Sequence, residues 1–353
     1  MKSKIINFEY FRLTDQESFN KITGDIYSAS AQGYTTVIGL LLVDGFLYKN
    51  NDVWNTVHNN IIDYARSIGI EITLVSGMSH KNKVDCETIP FNFYLHTVWL
   101  SYKDRSVNAY NSNTNKFLFL GGVPDRPNRI GLLYKLYKQD LLKHADWSFF
   151  PPWTEAQQTN CLQYFSSPDE YFDFINFAGR KIDDLYDSSK TYGTGEVPVG
   201  TAWTNDSAWI DPKVFSSTSL SVISEGHPGD ENNNSEFLTE KIYRAFVQGH
   251  PFLLAANPTI FYHAKALGFK TFEDHFPITD YGIDTPEEKR LEKLIENLKY
   301  FVNNKIDFSR DVEYNRIHFF NLAEENAKIL NTLDAEKKEI DFYFNKKGFG
   351  HLL

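Results

Sequence analysis

The chain has 353 residues, 42% hydrophobic and 16% aromatic, which is ample for packed interiors and long for one core. Two domains of ordinary size are therefore expected. A net charge of −10, from 36 Lys and Arg against 46 Asp and Glu, argues against a broad basic nucleic-acid footprint but not against a local basic cleft. The longest apolar run, Val37 to Val43, is far short of the ~20 residues a bilayer requires, so no membrane span is expected. The start, MKSKIINFEYF, lacks the apolar core and cleavage site of a signal peptide. Cys86 and Cys161 build neither a disulfide framework nor a zinc site. A reducing cytoplasm is the expected location.

In chain order, Thr35 to Val43 (TTVIGLLLV) is an uninterrupted apolar run closed by Asp44-Gly45, the pattern of a buried parallel strand and its exit turn. Asp52 to Ile68 carries Val53, Val57, Ile61 and Ala65 at four-residue spacing, which predicts an amphipathic helix. Ile70 to Val75 is the next strand, leaving Ser76 to His80 at its end, and the three elements form a right-handed βαβ unit. Aromatic-rich Phe91 to Tyr102 is predicted as a further strand. The polar stretch Asn108 to Asn115 (NAYNSNTN) has no periodicity and marks a domain boundary.

Beyond that boundary Phe117 to Leu120 reads as a strand and Ile130 to Leu142 as a helix. Between them, Gly121-Gly122 is a turn where backbone can approach a ligand closely. Pro151 to Pro212 is irregular, with at least one helix near Asp169 to Ala178, and is read as insertions over a cleft. Ser219 to Ser224 is a strand. Ser235 to Phe272 then reads as helix, strand, helix, strand. Leu238, Ile242, Ala245 and Phe246 make the apolar stripe of the first helix, Pro251 to Ala255 is a short buried strand, Thr259 to Leu267 a helix, and Phe269 to Phe272 a last short strand. Pro286 to Asn303 and Val312 to Leu330 are helical and charged.

Ligands of doubly wound α/β units sit at the carboxyl ends of strands and against helix starts. Glu240 and Lys241 lie in such a first turn, where a carboxylate can meet a ribose hydroxyl and an ammonium a diphosphate. The alternative for Glu240 is an ion pair with Arg244, four residues on. A lysine near a helix N-terminus is disfavoured unless an anion is present, which favours a phosphate ligand there. Arg126 and Arg129 flank Pro127 between a strand and a helix, where two guanidinium groups could hold a diphosphate or simply face water. Glu225 ends the Ser219 to Ser224 strand. His227, His250 and His263 have no metal-ligand spacing, and no Asp-x-Asp motif stands at a strand end, so no metal is expected. Trp153, Trp203 and Trp209 could stack on a sugar or base, or only pack. Asp44 and His80 each follow a predicted strand, the right place for a catalytic base.

Thr239-Glu240-Lys241, His250-Pro251-Phe252 and Gly268 to Phe272 (GFKTF), with Lys116 to Leu142 upstream, resemble the donor-sugar region of GT-B glycosyltransferases of the fucosyltransferase-like and exostosin-like kind, which have many viral and bacterial relatives. The resemblance covers roughly the second half of the chain. It implies an α/β fold of two Rossmann-like domains with a cleft between them: an acceptor-side domain over residues 1–110, a nucleotide-sugar domain over 116–310 with an insertion at 151–212, and helices over 311–353 that pack back on the first domain. It implies a metal-independent transferase whose donor site includes Arg126, Arg129, Glu225, Thr239, Glu240 and Lys241, with the nucleotide sugar as co-substrate and no further cofactor. Relatives commonly have His where Asn128 stands. The acceptor is a glycan or a hydroxymethylated base in phage DNA. For the latter speaks a basic, aromatic-interleaved stretch, with His80, Lys81, Lys83, His96, Lys103 and Arg105 among Phe91, Phe93, Tyr94, Trp99 and Tyr102. A non-catalytic nucleotide- or glycan-binding module on the same fold is the alternative.

Overall fold

A computed structural model describes residues 3–8, 16–41, 52–76, 85–104, 110–121, 127–148, 155–185, 212–225, 238–256, 258–279 and 285–332. The first sheet is built from β1 (Ser3–Asn7), β2 (Thr36–Leu41), β3 (Glu71–Ser76) and β4 (Glu87–Pro90), parallel and side by side in chain order. Helix α1 (Gln16–Ala31) joins β1 to β2, and α2 (Asp52–Ser67) joins β2 to β3. Ile22 and Ile26 of α1 and Ile61, Ile62 and Ala65 of α2 pack with Val37 and Leu74 on one face of this sheet. Neither β1 nor α1 stands out in the sequence, because β1 is short and α1 mixes its apolar residues with polar ones.

After β4 the chain forms α3 (Phe93–Tyr102), where a strand is predicted. The stretch is buried at Phe93, Leu95, His96, Thr97, Val98 and Tyr102, so it shows no amphipathic period from which a helix could be read. Asn92 decides the matter: its side chain accepts from Leu95 N at 3.0 Å, capping the helix start.

The second sheet has the order β6-β5-β7-β8, again parallel throughout, from β5 (Phe117–Leu120), β6 (Ala145–Ser148), β7 (Leu220–Ser224) and β8 (Phe252–Ala255). Its helices are α4 (Pro127–Lys138), α5 (Glu155–Leu162), α6 (Pro168–Leu185), α7 (Pro212–Ser216), α8 (Glu240–Val247), α9 (Pro258–Ala266), α10 (Glu287–Asn303) and α11 (Ser309–Thr332). The segment read as largely irregular insertions thus holds α5 and α6. Phe174 and Ala178 of α6 join the core over this sheet.

The strand predicted at Phe269 to Phe272 is absent. Phe269 stacks on Phe246 of α8 with centroids 3.8 Å apart, and the Asn315 side chain takes both backbone groups of Lys270, each at 2.8 Å. With those groups satisfied from α11, the segment needs no neighbouring strand. Gly268 (φ +91) turns the chain out of α9 where a Cβ would strike the His318 ring at 2.8 Å.

The protein is therefore α/β, with two parallel four-stranded sheets, an arrangement compatible with two Rossmann-like domains. Helix α3, although it follows the first sheet, puts Leu95, Val98 and Tyr102 into the core of the second. It packs against α8 and α11. Asn92 donates its Nδ2 to Tyr243 Oη of α8, and Gln248 Nε2 donates to Tyr102 Oη at 2.8 Å. The start of α3 is thus tied to the middle of α8 and the two ends to each other, so the helices run in the same direction. Helix α11, 24 residues and about 36 Å long, places Phe319 in the second core and Ile329 against Phe91 and Phe93 of the first. Its Asn326 bonds both backbone groups of Asn92, at 2.8 and 2.9 Å. Among the described residues no helix is long and apolar enough to cross a membrane.

Replacing Asn92 by Ala removes a helix cap and the donor to a buried tyrosine hydroxyl. Loss of roughly 2–4 kcal/mol is expected in urea unfolding. Asn92→Asp keeps the cap and loses only the donor, so it should cost less. Equal stability of Asn92→Ala and the native chain would contradict the joint.

Candidate functional site

In the second sheet the chain leaves β5 toward β6 and then returns to the other side of β5 as β7, before moving outward to β8. Connections after β5 and β7 run in opposite directions, which opens a crevice between the carboxyl ends of those two strands. Helix α4 starts on one side of it and α8 on the other. Arg129, in the first turn of α4, is 5% exposed and reaches across, with Nη2 at 3.5 Å from the carbonyl of Ser224, the last residue of β7. Glu225 follows directly, with its side chain fully buried.

Thr239 caps α8 from an extended conformation, its hydroxyl accepting from Lys241 N at 3.2 Å. The same hydroxyl lies 2.5 and 2.7 Å from the two carboxyl oxygens of Glu225. Glu240, 7% exposed, accepts from Lys241 Nζ at 2.8 Å and faces Arg244 Nη2 at 3.6 Å. Lys241 Nζ also stands 4.0 Å from Glu225 and 3.4 Å from the Thr239 hydroxyl. With 26% of its side chain exposed, Lys241 is the most accessible of the ion-paired groups on this turn.

Burial raises the pKa of both carboxyls, and the outcome differs because the cations are shared unequally. At Glu240 the charges of Lys241 and Arg244 outweigh burial and hold the group down at about 2. At Glu225 burial wins over the more distant Lys241, Glu240 adds its like charge, and the pKa is raised. Two neighbouring carboxyls pushed in opposite directions are a common mark of functional sites.

The structure brings together Arg129, Glu225, Thr239, Glu240 and Lys241. The alternatives for Glu240 merge, since it pairs with Arg244 and with Lys241 in one cluster. The flexible stem of Lys241 folds back onto Glu240, whose carboxylate supplies the anion that a lysine at a helix start needs. Arg129 is buried and so does not simply face water. Asp44, His80, Arg126, His227, Trp153, Trp203 and Trp209 lie outside the described residues. His250 is a core residue: burial lowers its pKa to about 4, against backbone hydrogen bonds, and Nδ1 lies 2.8 Å from Ser221 Oγ. Of the basic, aromatic stretch, Phe91, Phe93, His96 and Tyr102 are buried, while Lys103 is exposed over Trp99 at 5.0 Å. Those four are therefore not available as an open surface for a flipped base. Among the described residues no group of three or more His, Cys, Asp or Glu is placed to hold a metal ion.

Two contributors were missed in the sequence. Tyr243, on the next face of α8, is fully buried and close enough to Glu225 to feel its charge. Asn92 bonds it from α3. An Asn before an apolar run is a helix-start signal, but the aromatics after it read as a strand. Comparison with protein-family models gives no match, and a search of curated proteins gives none either.

Glu240 has its pKa depressed, so its contribution to stability is present above the unfolded value of about 4.3 and is lost as pH falls through about 2. Glu240→Gln should be less stable than the native chain at pH 7 by on the order of 3 kcal/mol. The gap should narrow in urea titrations at pH 4 and 3. A gap of the same size at every pH would show that packing, not charge, sets the loss.

Proposed function

We propose that this protein is a glycosyltransferase of GT-B architecture that moves a sugar from a nucleotide-sugar donor to an acceptor hydroxyl. The carrying observation is the gathering of Arg129, Lys241 and Arg244 around two carboxyls at the start of α8, beside the crevice between β5 and β7. A diphosphate suits this place for three reasons. It meets the positive ends of α4 and α8 together. It bears more negative charge than the single carboxylate with which Lys241 now pairs, so it can draw the ammonium outward. Glu240 then keeps Arg244 as its partner and is placed to accept from a ribose hydroxyl.

In the transfer, the bond between the anomeric carbon and the diphosphate oxygen breaks and its electron pair goes to that oxygen. Arg129, Lys241 and the first N–H groups of α8 stabilise the growing charge, in a site where such groups act without reorganising. The acceptor hydroxyl attacks the anomeric carbon and gives its proton to a base, for which Asp44 and His80, beyond the ends of β2 and β3, are the candidates. A glycan acceptor is favoured over hydroxymethylated DNA, because the aromatic residues that would receive a flipped base are largely spent on packing α3.

With a panel of nucleotide sugars, Lys241→Ala and Arg129→Ala should each lower turnover at least ~100-fold. Both substitutions should also lower stability, Arg129→Ala because the side chain is buried and Lys241→Ala because it takes the nearest cation from the buried Glu240, so turnover is compared on folded protein. Native turnover in both variants would refute the donor site. Turnover should survive EDTA, since Arg129 and Lys241 are the groups proposed to meet the charge on the leaving diphosphate. Loss with chelator and return with manganese or magnesium would refute that assignment of the leaving-group charge.

A further inference from the structure

Glu225 has an environment unlike that of any other carboxyl at this site. It is fully buried, and among the described residues its hydrogen-bond donor is the Thr239 hydroxyl, with one proton for two carboxyl oxygens at 2.5 and 2.7 Å. The charges of Lys241 and Arg129 do act on it, but each also serves another partner, and burial outweighs them. Lys241 Nζ is 2.8 Å from Glu240 but 4.0 Å from Glu225, Arg244 pairs with Glu240, and Arg129 points its Nη2 at the Ser224 carbonyl. From α8, Glu240 adds a like charge, and Tyr243 presents only a neutral phenol, whose own proton burial holds in place. A second proton among the three oxygens resolves this: a neutral Glu225 carboxyl gives one hydrogen bond and receives one.

We infer that Glu225 and Thr239 together hold a proton in the resting protein, and that capture of a diphosphate-like anion at the paired starts of α4 and α8 is linked to it. With Glu225 neutral, Arg129, Lys241 and Arg244 face a single carboxylate, and the site has charge to spare for an anion. With Glu225 ionised, the same cations face two carboxylates, and Lys241 is drawn back from the opening. Glu225 is thus a positioning residue: it touches no ligand and sets how strongly Lys241 is offered to one. Its raised pKa agrees with this arrangement. The sign follows from it, since rising pH removes the proton and weakens anion capture. The choice of anion rests on the donor-site reading above, whereas the proton itself does not.

Two measurements test this separately. Infrared spectra of the full chain at pH 7 should contain the carbonyl band of a neutral carboxylic acid that disappears in Glu225→Gln. Glu287→Gln is the control, because burial raises that carboxyl too, against Arg290. Absence of a band belonging to Glu225 in the native protein overturns the shared proton. This needs no ligand, and if Glu225→Gln does not fold, Thr239→Val serves instead, with a shifted band expected as the hydrogen bond is lost. The second measurement is calorimetric binding of inorganic pyrophosphate at pH 5, 7 and 9 to the native chain and to Glu225→Gln. The probe's own ionisation is common to both and cancels in the ratio of their dissociation constants. That ratio should be near one at pH 5 and should grow to about tenfold in favour of the variant at pH 9, as one charge at close range is neutralised. A ratio independent of pH overturns the linkage while leaving the donor site standing. Failure of pyrophosphate to bind the native chain at any pH overturns the donor-site reading and the linkage with it, and leaves the infrared result as the judge of the proton.

Discussion

An ammonium in the first turn of a helix sits against the positive end of the backbone dipoles, and the crevice of the second sheet is organised by the way α8 accommodates Lys241. Thr239 is the pivot. Its hydroxyl caps the helix, approaches both oxygens of Glu225 and lies within reach of the Lys241 ammonium, so one oxygen atom connects the end of β7 to the start of α8. Glu240 completes the neutralisation from the next position. Because burial opposes charge on both carboxyls, they cannot share the cations equally, and the one nearer to Lys241 and Arg244 is the one that stays ionised.

The same short helix also carries the joint between the two sheets. Tyr243 takes a hydrogen bond from Asn92 at the start of α3, Gln248 gives one to Tyr102 at its end, and Phe246 stacks on Phe269. Asn92 is in turn gripped by Asn326 of α11. A displacement of the α8 start by a ligand is therefore resisted by three contacts that belong to other elements. Rigid support of this kind is what a group that must stabilise charge without reorganising requires.

Fold class was legible because both sheets are parallel and covered, so β2, β3, β5, β7 and β8 appear as short apolar runs. Helix α8 was legible because Glu240, Lys241 and Arg244 fall between its apolar residues and leave a stripe, although most of the helix is buried. Helix α3 was not, since burial all round erases the period, and its N-cap was hidden among aromatics. The run at Phe269 looked like a strand because apolar alternation does not reveal that Asn315, 45 positions further on, satisfies its backbone. At the site, the residue types and their place at helix starts were visible in the sequence. The division of labour between Glu225 and Glu240 was not, because it depends on which of two carboxyls a lysine folds toward, a matter of distances between groups that lie 15 positions apart.

The central claim is that the start of α8 holds the diphosphate of a nucleotide sugar. Calorimetric titration of uridine and guanosine diphosphates into the native chain and into Lys241→Ala tests it most directly. Binding of one of them is predicted, weakened at least about tenfold, or ~1.4 kcal/mol, by the substitution, with the corresponding nucleoside failing to bind either protein. Absence of binding by the native chain at millimolar nucleotide, or binding that ignores the loss of Lys241, would contradict it.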